Sequence, residues 1–390
     1  MSRAPEITAQ KFFQAAEEHS IVKADLVSEY IVGWAKIIIR YKINVKQDPT
    51  VYVIDLFSGA GRYDDGTPST PIKVMDRVLE ADYLRDNIRF WFNDESVDMI
   101  TRLQTNIKAL PGSENLRHEV HYTSQDADSP EIANWFRQNA ISWRFPMLVF
   151  IDPFGYKEIN QELIRSIIQV PQSDIILFFN YKRINAALNN QLFESNMNRL
   201  FGEAQVKTVK EELETAKPAQ RSEIIVRHLE ESFEALGSKF VTAFKIVQND
   251  QDQISHYIVG LTKHEKGFEL FKKIMKKHTK DAERAQSRFG LDLFSQQRSQ
   301  QQDLFATPID AVNELSNMLK RKFAGQTITF AEIYRIHHPT AEFTETEYKE
   351  AVRRLLTRRD AFIAENSQLP QRAIMNGKQT IPDYLLIKFV

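Results

Sequence analysis

Three acidic residues, each closing a short apolar run, are the positions best placed to do chemistry. The first run reads VYVIDLFSGAG at 51–61, with Asp55 ahead of Gly59 and Gly61. The second, IRFWFND at 88–94, leads into Asn93-Asp94-Glu95, and the third, HEVHYTSQD at 118–126, ends in Gln125-Asp126. A strand ending on a glycine turn presents backbone N–H groups at the carboxyl edge of a sheet, where open α/β folds bind ligands. Gly59 and Gly61 have no Cβ and permit close backbone approach. A dinucleotide fingerprint needs a third glycine, and Asp64 stands in its place; no G-x-x-x-x-G-K-[ST] run exists, which excludes a P-loop. Acidic strand ends suit a ligand that is cationic and carries no phosphate. S-adenosylmethionine fits: Asp55 lies near its charged end, Asp94 accepts from the two ribose hydroxyls, and Asp126 meets the adenine amino group. Phe57 and Ser58, beside the glycines, join this cofactor set. The competing reading of each Asp is a turn or helix cap.

The fourth run, PMLVFIDPFG at 146–155, is the acceptor side. Asp152-Pro153-Phe154 resembles the Asp/Asn-Pro-Pro-aromatic signature of amino-group methyltransferases. There a side chain and a backbone carbonyl accept from the target amine, and the aromatic ring stacks on the target base. Here Phe154 replaces the second proline, Gly155 takes the aromatic place and Tyr156 follows. D-L-F-S-G-A-G is also similar to cytosine-C5 methyltransferases, whose chemistry needs a cysteine nucleophile; the chain has no cysteine, so that reading is excluded. No H-E-x-x-H or G-x-S-x-G run exists, and no metal ligands are expected.

These residues sit in an alternation of strands and helices. After VYVIDLF come a helix at 72–84, the strand at 88–94, a helix at 96–110, the strand at 118–126, a helix at 129–140, the apolar strand of 146–155, a helix at 160–170 and the strand DIILFFN at 174–180, which ends in Asn180. Such alternation predicts a parallel sheet buried on both faces. FVTAFKIVQND (240–250) and ISHYIVGLTKH (254–264) read as a hairpin that closes it, followed by a helix at 267–279. Two helices are expected within 7–42. The fold class is therefore α/β: a Rossmann-like sheet of the class I methyltransferase type with an antiparallel C-terminal hairpin, plus a smaller winged-helix-like domain.

The length of 390 residues favours two domains. The expected division is N-terminal helices over 1–45, a methyltransferase-like domain over 46–285 with a polar helical insertion at 181–235, a glutamine-rich linker at 286–306, and a winged-helix-like domain over 307–390. Net charge is −1, so nucleic-acid binding would need a local patch. Lys272, Lys273, Lys276 and Lys277 form one charged helix face, read as solvated. Arg353, Arg354, Arg358 and Arg359 could contact phosphates, with His337 and His338 pairing alongside, but the favoured reading is a solvated helix face. The absence of cysteine fits the cytoplasm, and no apolar run approaches a membrane span.

Three segments carry a family resemblance: DLFSGAGRYDDGTPSTP, IDPFG and YIVGLTKHEKGFELFKKIM. With His19, Lys23 and SEYIVGWAKII ahead of them, they resemble the three-Cys-motif partner proteins (TcmP), a methyltransferase-like family, over roughly residues 8–280. The resemblance implies that Arg62 and Tyr63 line the pocket with Asp55, Gly59 and Gly61, and that Asp152 lies on the substrate side. It also implies a partner bearing a three-cysteine, radical-SAM-like motif. His19 and Lys23 are four apart on one helix face and would reach the pocket, as would Asn180. The function expected is methyl transfer from S-adenosylmethionine to nucleic acid, DNA or RNA, without a membrane partner. The alternatives are an inactive methyltransferase-fold binding or partner protein, and a nucleotide-handling Rossmann-like enzyme.

Overall fold

The computed structural model describes residues 18–139, 144–153, 159–188, 190, 193–248, 253–284, 289–293, 311–341, 343–370, 374–375 and 377–390. The chain divides into two units, with the boundary at Phe294/Ser295.

In the first unit five parallel strands carry the site: β1 (Val51–Asp55), β2 (Ile88–Asn93), β3 (His121–Thr123), β4 (Met147–Ile151) and β5 (Ser173–Phe179). The sheet order is β3-β2-β1-β4-β5-β7-β6-β8. The hairpin β6 (Phe240–Gln248) and β7 (Gln253–Thr262) joins antiparallel to β5. This is the α/β class expected, a largely parallel sheet closed by an antiparallel pair. β8 (Phe289–Leu293) adds to β6, so the stretch read as linker contains a strand. Its alternating Phe289, Leu291 and Leu293 carried a two-residue period that the surrounding glutamines masked.

Every central strand feeds two cores because successive side chains point to opposite faces. Val51 and Val53 of β1, with Leu148 and Phe150 of β4, pack on one face under α1 (Glu18–Asn44) and α2 (Thr70–Leu79). Ile54, Met147, Val149 and Ile151 pack on the other. α1 is one continuous helix over the second of the two expected helices; Phe12, Phe13 and Ala16, the other expected helix, lie outside the described residues. Its position is fixed by Trp34, whose Nε1 donates to buried Asp174 of β5 at 2.7 Å. The helix expected at 72–84 is two, α2 and the one-turn α3 (Asp82–Arg85). The third strand is only His121–Thr123, shorter than its apolar run.

α4 (Val97–Lys108), α5 (Pro130–Asn139) and α6 (Gln161–Gln169) complete the crossovers. Among the described residues, 181–235 hold four α-helices: α7 (Tyr181–Leu188), α8 (Glu194–Phe201), α9 (Glu203–Thr215) and α10 (Arg221–Ala235). α11 (Glu265–Arg284) follows β7 and packs against α1.

The second unit contains α12 (Ala311–Phe323), β9 (Thr327–Thr329), α13 (Phe330–His337), α14 (Glu345–Arg358), β10 (Ala361–Ile363), a short hairpin of β11 (Ile374–Met375) and β12 (Lys378–Gln379), and β13 (Leu386–Phe389). β10, β13 and β9 form an antiparallel sheet behind the helices, a winged-helix arrangement. α13 and α14 both begin with capping boxes, from Thr329 to Glu332 and from Thr344 to Glu347. Among the described residues no helix is long and apolar enough to cross a membrane.

Candidate active site

The carboxyl ends of β1, β4 and β5 open into a cleft, lined also by α1 and the start of α2. β1 ends on Asp55, 3% exposed. Its Oδ1 accepts from the Phe57 amide at 3.0 Å, which turns the chain out of the sheet. Ser58 donates through its amide and its hydroxyl to the Asn93 carbonyl, at 2.9 and 3.0 Å. The Gly59 amide donates to Asp94 Oδ2 at 2.9 Å, while Asp94 Oδ1 accepts from the Ser96 amide at 3.0 Å. Gly61 has φ +78°, and a Cβ there would lie 2.6 Å from Leu103 Cδ1. Glycine is thus required twice, by backbone angle and by space.

Asn93, which sequence reasoning passed over, locks three strand ends together. Its amide nitrogen donates to the Leu56 and Gln125 carbonyls at 3.1 and 2.9 Å. Its oxygen accepts from Thr123 Oγ1 and the Gln125 amide at 2.8 and 3.2 Å. A wholly buried amide with this many partners fixes the ends of β1, β2 and β3 relative to one another. The only sequence signal was its place beside Asp94.

Asp55 carries the clearest electrostatic stress. Burial pushes its carboxyl well above the usual carboxylate range; the Phe57 amide and Lys23 oppose this, while the Asp152 and Asp94 charges add to it. Asp94 is likewise raised by burial, against the pull of the Ser96 and Gly59 amides. One end of the cleft therefore holds carboxyl groups short of positive charge.

The other end is built around Lys23 and Asp152, with Nζ to Oδ2 at 2.5 Å. The ammonium also lies 4.6 Å from the centre of the Phe178 ring, which stacks on His256 at 4.9 Å and 22°. Burial disfavours the Lys23 charge, but Asp152, Tyr63 and Asp55 outweigh it and raise its pKa. Among the described residues Asp152 Oδ1 accepts no hydrogen bond. Phe178 and His256 were missed in the sequence: one lay within an apolar strand, and the other was brought in by the antiparallel β7.

Asp55, Phe57, Ser58, Gly59, Gly61, Arg62, Tyr63, Asp94, Lys23, Asp152, Pro153 and Asn180 all line this cleft. Arg62 donates to the Gly66 carbonyl at 3.0 Å, and Asn180 Oδ1 caps α7 by accepting from the Arg183 amide at 3.1 Å. Asp126 is exposed, accepts from the Asp128 amide at 2.9 Å and is not part of the lining. Phe154, Gly155 and Tyr156 lie outside the described residues, as does the side chain of His19, whose backbone belongs to α1.

In the second unit His337 and His338 are buried and so do not offer phosphate contacts. In the first, the lysine face of α11 is divided: Lys272 is buried over Phe268 at 4.3 Å, whereas Lys273 and Lys277 are exposed.

Residues 279–360 match the family model of the GMT-like wHTH domain. No curated protein matches the chain. Among solved structures, a Legionella pneumophila protein assigned to DUF519 is 12% identical with a TM-score of 0.42, covering 72% of this chain and 99% of its own. The magnesium protoporphyrin IX methyltransferase of Synechocystis, solved with bound SAM, is 10% identical with a TM-score of 0.30, covering 67% of this chain and 100% of its own. A SAM-dependent methyltransferase from Methanosarcina mazei is 11% identical with a TM-score of 0.29, covering 56% and 95%.

Proposed function

We propose that the first unit is an S-adenosylmethionine-dependent methyltransferase whose acceptor is an amino group on a nucleic-acid base. The observation that carries this is the charge gathered in one cleft: carboxyl groups at Asp55 and Asp94 that burial pushes upward, and Asp152 ion-paired with Lys23, its Oδ1 accepting no hydrogen bond among the described residues. A cationic ligand without phosphate relieves the first end. Asp55 faces its amino group, Gly59 and Gly61 admit its methionine part without a Cβ in the way, and Asp94 holds the ribose. Asp126, exposed and outside the lining, is left to serve the adenine edge.

When bound, S-adenosylmethionine supplies a methyl group on a sulfonium, already an excellent leaving group. The protein's work is then positioning. Asp152 Oδ1 accepts from the acceptor amine, aims its lone pair at the methyl carbon and takes up the proton the nitrogen sheds as the new N–C bond forms. Lys23 fixes the Asp152 carboxylate in that orientation. The Tyr63 ring offers an apolar wall for a flat base, with Pro153 and Asn180 in the same lining. The partner implied by the motif resemblance, a three-cysteine radical-SAM-like protein, belongs to this reading and rests on the motifs alone.

Calorimetry with S-adenosylmethionine and with NAD tests it. The expected result is saturable S-adenosylmethionine binding, lost in Asp94→Ala, and no NAD binding. A second reading, an inactive nucleic-acid-binding or partner protein on the same fold, is favoured by Phe154 in place of the second proline and by Lys23 already occupying half of Asp152. Failure of the full chain to bind S-adenosylmethionine, with nucleic-acid binding retained, would establish that second reading instead.

A further inference from the structure

We infer that a basic groove between α1, α2 and α11 holds the sugar–phosphate backbone of the nucleic acid whose base enters the cleft; this rests on the nucleic-acid acceptor proposed above. The groove is lined by Lys36 of α1, Arg77 of α2, and Lys273 and Lys277 of α11. Among the described residues the sole carboxylate in its lining is Glu29, which is taken up by Lys277 at 2.8 Å and by His278 at 3.0 Å. Lys36 and Lys273 have no ion pair among the described residues. Arg77 is held by its Nε to Ser28 Oγ at 3.1 Å.

A solvated helix face would spread such charges apart in water. Here cations from three helices converge on one concavity in a chain whose net charge is −1. A concave, like-charged surface focuses the field and draws in polyanions. The floor is apolar, made by Val32, Leu270 and Ile274, and Gly33 lets the helices close in: a Cβ there would lie 3.3 Å from Leu270 Cδ1. Apolar floor and basic walls match the alternation of sugar and phosphate.

The groove is joined to the cleft by the helices that form both. Lys23 in the cleft and Lys36 in the groove are thirteen residues apart on α1, about 20 Å. Pro71 in the cleft and Arg77 in the groove are six apart on α2, about 9 Å. A strand with one nucleotide in the cleft reaches the groove within a few phosphates.

Fluorescence anisotropy with the full chain tests this, using a labelled mixed-sequence RNA oligonucleotide and the DNA of the same sequence, single- and double-stranded, across a salt series. Lys36→Glu/Lys273→Glu is expected to weaken binding about tenfold and to flatten the slope of log K against log salt by roughly 1.4 to 1.8. The heat of S-adenosylmethionine binding and the thermal melt stay unchanged, and Lys108→Glu, an exposed lysine on α4, leaves all three as they were. Unaltered affinity and slope in the double variant, where the parent chain binds, would overturn the groove and leave the acceptor reading standing. No binding of any of these oligonucleotides by the parent at low salt would overturn both. Loss in the double variant of binding to phosphatidylserine vesicles, with oligonucleotide binding kept, would assign the groove to a lipid surface and overturn its nucleic-acid occupant.

Discussion

The two units treat their charges in opposite ways. In the first, Asp55, Asp94, Asp152 and Lys23 are gathered in a partly buried cleft, and burial drives Asp55 far from its ordinary ionisation. In the second, charge is spent on the unit's own architecture. Arg353 donates to the Gln379 carbonyl at 2.7 Å and pairs with Glu350, which also takes Lys378 at 3.1 Å. Arg354 and Arg358 both donate to Asn313, and Lys320 pairs with Asp360 at 2.6 Å. Unrelieved charge in a cleft costs stability and is kept where a ligand relieves it; satisfied charge only holds a fold together. The contrast separates the unit that should act from the one that should recognise or support.

The sharpest way to break this comparison is to remove Asp152. Asp152→Ala leaves the Lys23 ammonium buried without its partner, and breaking a buried pair costs about 3 kcal/mol. Because Lys23 has a raised pKa, its stabilising contribution is present below its unfolded value and is lost only as pH rises through the folded one. The loss in Asp152→Ala should therefore be seen in full by urea denaturation at neutral pH. Lys23→Met/Asp152→Leu should recover most of the stability and none of the methyl transfer, a split that a purely structural pair would not give. Gly61→Ala comes next: with φ +78° and Leu103 Cδ1 at 2.6 Å, it should cost about 2 kcal/mol and weaken S-adenosylmethionine binding by tenfold or more in the same calorimetry.

Much of this site was readable before any coordinates. The acidic strand ends and the two glycines followed from residue type and from the strand–helix alternation, because both are local. Asn93 was not readable, since its value lies in three partners at the ends of two other strands. Phe178 and His256 were hidden because their neighbourhood is set by the pairing of β5 with β7, across a four-helix insertion. Asp126 shows the reverse: a pattern that pointed to the cleft falls on an exposed turn residue outside its lining. The lysines of α11 were visible as a face, but only packing decided that Lys272 turns inward while Lys273 joins Lys36 in a groove. In the second unit, His337 and His338 were expected alongside phosphate-contacting arginines, and burial removes them from that role.

Asp55→Asn sharpens the contrast with a gain instead of a loss. A carboxyl whose folded pKa is raised binds its proton more tightly in the native state, so stability falls as pH rises from the ordinary carboxylate range toward the folded value. Asparagine keeps the acceptor for the Phe57 amide and carries no charge to desolvate. The variant should match the parent near pH 3 to 4 and exceed it at neutral pH by roughly 1–2 kcal/mol in denaturant melts, while losing S-adenosylmethionine affinity. A variant that is no more stable at neutral pH would show that Asp55 is not under the stress assigned to it.

The smallest effect belongs to the second unit, where His337 Nδ1 and the Tyr348 hydroxyl meet at 2.5 Å between α13 and α14. Both groups are buried, and burial holds the Tyr348 phenol neutral, far above its usual range. Tyr348→Phe removes the hydroxyl, keeps the ring against Tyr334 at 5.0 Å and leaves one imidazole nitrogen without that partner. The expected cost is about 1 kcal/mol, read as an earlier denaturation transition of the full chain. S-adenosylmethionine affinity should not change. A fall in that affinity as large as the one in Gly61→Ala would mean that the second unit's internal bonds bear on the cleft, and the division between acting and supporting units would fail.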